Sequence, residues 1–264
     1  MKPVSKISKI EQLSVHYLEA GEGETIVFLH GAGGAPPESA SFVSMLAAKH
    51  RVLLPSRPGF DETPLGDCAT LTDIADIMAG FIRNKSDGPV HLVAQSAGGA
   101  VGCWLAVLYP ELVSSLVLSA PSTFAVRHAN AGGPPSPQEM DALLYGETPS
   151  WSGPPTEDER DRIAGNARAN MARSQSADGN QDLLARLPEI NALTLLLVGT
   201  GDRMIPPEAM APIQKHIPNC QRVYIYGAAH ELPISAGPQW VTLVSDFITR
   251  GEAFVVNVGS RDAL

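Results

Sequence analysis

Four short segments carry side chains whose types and spacing suit nucleophilic chemistry at a carbonyl. The first is Ala94-Gln95-Ser96-Ala97-Gly98-Gly99, which sets a serine among small residues between an apolar run, Val90 to Ala94, and helical text from Gly98 to Tyr109. A buried strand that turns sharply into a helix needs small neighbours, and the turn lifts its central side chain out of the sheet as a nucleophile elbow. The hydroxyl then stands above the carboxyl end of the strand, beside the positive end of the following helix. A serine in such a turn also serves as a helix N-cap, and this segment alone leaves that reading open.

The second segment, His30-Gly31-Ala32-Gly33-Gly34-Ala35, follows the short apolar run Thr25 to Leu29. Its glycines leave backbone N–H groups free to face a ligand. Such a loop can supply one oxyanion donor, with the N–H after the serine, that of Ala97, as the other. A phosphate-binding loop is the alternative, but no GxGxxG and no Lys-Ser/Thr pair accompanies it. His30 itself is expected to hold the loop rather than to act as a base. The third segment ends the run Leu193 to Val198 with Gly199-Thr200-Gly201-Asp202, and the fourth ends a strand-like run, Arg222 to Tyr226, with Gly227-Ala228-Ala229-His230. A lone loop Asp or His is ordinarily just polar. Both of these fall at carboxyl ends of strands, where open α/β sheets place their sites. They also complete the order serine, acid, histidine that follows a nucleophile elbow.

The elements that must hold these residues alternate along the chain. Ser14 to Leu18, Thr25 to Leu29, Arg51 to Leu54, Val90 to Ala94, Leu116 to Leu118, Leu193 to Val198 and Arg222 to Tyr226 read as strands. Helical text separates them at Ser41 to Lys49, Leu71 to Arg83, Gly98 to Tyr109, Pro207 to His216 and Trp240 to Thr249; Leu71, Ile74, Ile77, Met78 and Phe81 share one stripe. This alternation predicts an α/β fold with a mostly parallel sheet. Between residues 121 and 187 the regularity breaks into proline-punctuated polar text, with charged helical text from Thr156 to Ala172. We read that stretch as an insertion, with residues 1–120 and 188–264 forming the core domain.

Composition excludes other classes. The 264 residues are 44% hydrophobic and 18% charged, a globular balance. Nineteen Lys and Arg against 28 Asp and Glu give a net charge of −9, which argues against nucleic acid as a partner. Cys68, Cys103 and Cys220 form neither a disulfide framework nor a zinc pattern and suit a reducing compartment. The first dozen residues lack a continuous apolar stretch, and Ala97 to Leu108 is too short and glycine-interrupted to span a bilayer. The expectation is a cytoplasmic protein that acts on a small molecule, away from membranes, with no metal or organic cofactor.

On these four segments, and on Arg51-Val52-Leu53-Leu54-Pro55-Ser56-Arg57-Pro58-Gly59-Phe60, the chain resembles the α/β-hydrolase superfamily in its serine-nucleophile branch. The likeness runs from about Leu13 to Arg250. It implies that the insertion at 121–187 is the family's variable cap, that Ser96, Asp202 and His230 are nucleophile, acid and base, and that Ala32 and Ala97 donate to the oxyanion. Ser96 in place of an elbow aspartate argues against the haloalkane dehalogenase and epoxide hydrolase branches. Departures are Ala94 for the first elbow glycine, Ser56 where many relatives have Asp, Asp61 where Gly is common, and Ala229 before the histidine.

The reaction this implies is acyl transfer to Ser96 and hydrolysis of the acyl-enzyme, first of all on a carboxylic ester of small to medium apolar character. The alternatives on the same residues are carbon–carbon hydrolysis, lactone or thioester hydrolysis, or a non-hydrolytic lyase or cyclase reaction. The aromatic residue frequent after the histidine in carbon–carbon hydrolases is absent, since Glu231 follows His230. Trp151, Tyr145 and Phe124, with Met140 and Met171, either line the substrate pocket or form the insertion's own small core; Arg127 and His128 lie within reach of the same cavity. Asp246 falls too late in the chain to be the acid, and the remaining histidines and helix-start acids read as ordinary surface or core residues.

Overall fold

The computed structural model describes residues 2–36, 40–124, 135–146, 156–173 and 180–255. Eight strands form one sheet: β1 (Val4–Ile10), β2 (Leu13–Ala20), β3 (Thr25–Leu29), β4 (Arg51–Pro55), β5 (Val90–Gln95), β6 (Val113–Ser119), β7 (Leu193–Gly199) and β8 (Cys220–Ile225). Their spatial order is β1-β2-β4-β3-β5-β6-β7-β8. β1 and β2 run antiparallel to their neighbours, and every pairing from β4 through β8 is parallel. The strand β1 has no counterpart in the sequence reading. Its sequence, Val4-Ser5-Lys6-Ile7-Ser8-Lys9-Ile10, repeats every three residues instead of alternating, and only Ile10 among its apolar side chains is buried.

The helices are α1 (Ser41–Leu46), α2 (Leu71–Lys85), α3 (Gly98–Leu108), α4 (Pro137–Tyr145), α5 (Glu157–Arg173), α6 (Gln181–Arg186), α7 (Ala211–His216), α8 (Leu232–Ser235), α9 (Gly237–Arg250) and the short α10 (Glu252–Val255). Two aromatic clusters show that both sheet faces are covered. On one face Phe28 of β3 meets Phe42 of α1 and Trp240 of α9, ring centroids 5.4 and 6.2 Å away. On the other, Tyr17 of β2 packs edge-on against Phe81 of α2 at 5.2 Å. The pairing register places Tyr17 on the face of Val27, opposite to Phe28. Strands buried on both sides read as continuous apolar runs, as Ile26 to Leu29 and Leu195 to Val198 do.

Local chemistry sets the element ends. A capping box at Thr70 and Asp73 starts α2, whose buried residues Ile74, Met78 and Phe81 fall on the expected stripe. Ser119 closes β6 and accepts a hydrogen bond from the buried Trp240 indole at 3.0 Å, so α9 is tied to the sheet by a polar contact as well as by packing. Pro207–Met210 is a 3-10 turn that leads into α7 rather than part of one longer helix. No helix among the described residues is long and apolar enough to cross a membrane.

The segment joining β6 to β7 contributes α4, α5 and α6. Its irregular sequence conceals a second capping box, Ser136 with Glu139, at the start of α4. Glu159 likewise closes back on Thr156 at the start of α5.

Candidate active site

β5 ends at Gln95 and α3 begins at Gly98, so Ala97 and Ser96 must make the whole reversal. Ser96 does so with φ at +49°, a left-handed conformation that costs a side-chain-bearing residue about 1–2 kcal/mol. The surroundings hold it there. Its N–H donates to Ser119 O at 2.9 Å, and its carbonyl accepts from Gly99 and Ser122 at 2.9 and 3.1 Å. Gly98 permits the close approach of helix to loop: a Cβ there would lie 2.5 Å from the Leu29 carbonyl oxygen.

A similar constraint brings the acid to the histidine. The loops after β7 and β8 are zipped together, with Gly201 N–H donating to Ala228 O at 2.9 Å. A Cβ on Gly199 would sit 2.3 Å from the same carbonyl, so only glycine lets the two loops meet. Asp202 is then fixed by its own loop, its Oδ1 accepting the N–H groups of Met204 and Ile205, both at 2.9 Å.

The three side chains form a continuous chain. Ser96 Oγ lies 2.8 Å from His230 Nε2, and His230 Nδ1 lies 2.8 Å from Asp202 Oδ2. All three residues are buried. With Nδ1–H donating to the carboxylate, Nε2 carries the lone pair that can accept the serine proton. Burial alone would lower the His230 pKa, but the hydrogen bond and charge of Asp202, with Glu231 adding to them, outweigh it and move the value up. The carboxylates outweigh the loss of solvent.

Gln95, which the sequence reading passed over, braces this arrangement by donating from Nε2 to the His230 carbonyl at 3.0 Å. Its position beside Ser96 in the elbow was the available signal.

On the other side of Ser96 lies the loop that follows β3. Among the described residues neither the Ala32 nor the Ala97 N–H has an acceptor, which is the condition for both to serve a developing oxyanion. His30 holds the loop as expected. Its Nδ1 is 2.8 Å from Gly31 O, and its Nε2 accepts the Arg57 N–H at 3.0 Å. Burial, helped by Arg57, pushes its pKa down to about 3, so it stays neutral. Arg57 also donates to Gly31 O at 3.0 Å.

Asp61 acts as a second brace, at a position where the sequence showed only a departure. It accepts from Ala35 N–H at 2.9 Å and from Ser56 Oγ at 3.2 Å. From α5 it accepts Asn166 Nδ2 at 2.7 Å and pairs with the Arg162 guanidinium. Asn166 also donates to Gly33 O at 3.0 Å.

Of the residues assigned to a pocket, Tyr145 is buried at the end of α4. Burial and the nearby charge of Glu231 drive its pKa upward. Phe124, shortly after β6, is partly buried against the main hydrophobic core, which places it with the core's packing. Trp151, Arg127, His128 and the Met171 side chain lie outside the described residues. Asp246 pairs with Arg250 on α9 and stands apart from His230.

The family model described as the alpha/beta hydrolase family matches residues 26–242. The chain belongs to that family. This hydrolase is 24% identical to a 2-hydroxy-6-oxo-6-phenylhexa-2,4-dienoate hydrolase of Burkholderia cepacia, over 92% of its own length and 93% of the relative's. It is 27% identical to a 2-hydroxy-6-oxononadienedioate/2-hydroxy-6-oxononatrienedioate hydrolase of Pseudomonas putida, covering 94% and 98% of the two chains. Among solved structures, the hydrolase superimposes with a TM-score of 0.77 and 22% identity on a serine hydrolase involved in carbazole degradation, over 94% of this chain and 99% of that one. That last likeness speaks to the fold.

Proposed function

We propose that Ser96 is the nucleophile of this hydrolase, His230 its general base and Asp202 the group that orients and stabilises the imidazolium. The observation that carries this is the pair of 2.8 Å contacts joining the three side chains. His230 Nε2 takes the proton as Ser96 Oγ attacks a carbonyl carbon, and the oxyanion settles between the N–H groups of Ala32 and Ala97. His230 then returns the proton to the leaving group. Water, activated by the same nitrogen, releases the acid and restores Ser96.

For the substrate, near-full-length similarity to dienoate hydrolases favours carbon–carbon hydrolysis over the ester reading that the sequence put first. A 2-hydroxy-6-oxo-dienoate has no ester or amide in its chain, so its hydrolysis must break the bond beside the 6-oxo carbon. A proton moved to the carbon next to that carbonyl lets it leave as part of a stabilised dienol, while water supplies the oxygen of the acid product. Ester hydrolysis remains the second reading, favoured by Glu231 where such enzymes frequently have an aromatic residue.

We read residues 121–187 as a cap that sets which substrate reaches Ser96. Two contacts support it: α4 is bonded to the histidine loop through Leu144, and α5 to the loop after β3 through Asn166.

The test compares 2-hydroxy-6-oxo-dienoates, followed by loss of their absorbance, with p-nitrophenyl esters of rising chain length, on the wild type and Ser96→Ala. Turnover of the dienoates at a higher kcat/KM, lost by about three orders of magnitude or more in Ser96→Ala, is the expected result. Ester turnover alone would select the second reading. Activity retained in Ser96→Ala would remove the nucleophile assignment.

A further inference from the structure

Glu231 puts a second carboxylate beside the nucleophile, and the reaction scheme above does not use it. The position that a Cβ on Gly31 would occupy is 3.2 Å from Ser96 Cβ and 3.6 Å from Glu231 Oε1. Gly31 opens the loop that carries the Ala32 N–H, so the carboxylate looks across that loop toward the reacting serine. The backbone of Glu231 is fixed from both sides. Its N–H donates to Leu144 O at 2.8 Å, and its carbonyl accepts from Ile234 and Ser235 at 2.9 and 2.7 Å.

Its side chain is half-buried and has no ion-pair partner among the described residues. Among the described residues no donor reaches either carboxylate oxygen, and the titratable groups that bear on it are His230, Asp202 and the neutral phenol of Tyr145. Burial and the neighbouring Asp202 charge raise its pKa, opposed only by His230. A carboxylate in such a place repels like charge and attracts a cation or a hydrogen-bond donor, a repulsive element of the kind that builds specificity.

We propose that Glu231 is a specificity-determining residue, which admits neutral or cationic groups beside the scissile carbonyl and turns away groups that carry a carboxylate there. The inference rests on Ser96 being the nucleophile. It is independent of whether the bond broken is carbon–carbon or ester. On the carbon–carbon reading, it requires a substrate's carboxylate to lie away from Glu231, at the far end of the bound chain.

Three fluorophosphonates that differ only at the end of a short alkyl chain, ending in methyl, quaternary ammonium or carboxylate, would report this at pH 8.5. Labelling of the full-length protein requires no knowledge of the natural substrate, and Ser96→Ala is the control that must stay unlabelled. The wild type is expected to react with the carboxylate probe about tenfold or more slowly than with the neutral one, and no more slowly with the cationic one. Glu231→Gln should close that gap, and Glu231→Asp should keep most of it. Glu231→Ser, which also removes the charge, should close the gap as well, which keeps the test decisive if Glu231→Gln does not fold. Equal rates for the three probes, or a gap unchanged in a folded Glu231→Gln or Glu231→Ser, would each overturn the proposal. A folded wild type that none of the probes label would remove the nucleophile and this inference together. Failure to cleave dienoates with the probe pattern intact would remove only the carbon–carbon reading.

Discussion

The N–H of Glu231 donates to the carbonyl of Leu144 at 2.8 Å, so the residue that follows His230 is bonded to the last turn of α4. The next residue of that helix, Tyr145, is buried. Loss of its ring should therefore disturb the access side of the site while leaving Ser96, His230 and Asp202 in place. Tyr145→Ala is expected to change the ratio of kcat/KM across acyl groups of rising length by severalfold, with a smaller effect on the melting temperature. Uniform destabilisation with an unchanged ratio would assign Tyr145 to packing alone.

Asp202→Asn should fold and bind but lose about 10³–10⁴ in kcat, because an amide at Oδ2 favours the wrong imidazole tautomer. Asp246→Asn, whose partner is Arg250 on the surface of α9, should be near wild type. Steady-state kinetics on one substrate distinguish the two positions.

The pH profile follows from the direction of the His230 shift. The proposed base, His230, works when neutral, so kcat/KM should rise as the free enzyme loses that proton, with a midpoint above the ordinary histidine value of about 6.5. The same shift bears on stability. A group whose folded pKa is raised contributes stability fully below its unfolded value, and that contribution disappears as pH climbs through the folded value. Asp202→Asn should move the midpoint down. A midpoint at or below 6.5 in the wild type would contradict the proposed balance of charge over burial.

Asp61 links the loop after β3, the loop after β4 and α5 through one carboxylate. Burial alone would raise its pKa, but the Ala35 N–H, His30, Asn166 and Arg162 bring it below the usual carboxylate value. Its stabilising effect is therefore present above about pH 4 and lost as pH falls through the folded value. Asp61→Ala should cost about 1–3 kcal/mol in urea unfolding at pH 7, and less at pH 3. A loss that is the same at both pH values would show that its charge is not involved.

Much of this site was legible because its demands on the chain are local. An elbow needs small residues around Ser96, and two loops that meet within a hydrogen bond need glycine at 199 and 201; those requirements appear as text. The strand β1 was missed because an edge strand has little burial to impose a pattern. The segment between β6 and β7 reads as irregular because α4 and α5 start from capping boxes amid proline and glycine rather than from apolar stripes. The roles of Asp61 and Gln95 arise from contacts with residues far along the chain, Asn166 and His230, and no spacing rule encodes those. Glu231 was visible as a departure from a pattern, but only the geometry shows what it faces.

The left-handed backbone of Ser96 means that this fold is less stable than its own topology allows. Glycine would occupy that conformation without strain, so Ser96→Gly should raise the unfolding free energy, by about 1 kcal/mol, while eliminating turnover. The proposed nucleophile thus sits where inactivation and robustness go together, and selection for thermal tolerance without selection for activity would be expected to find it.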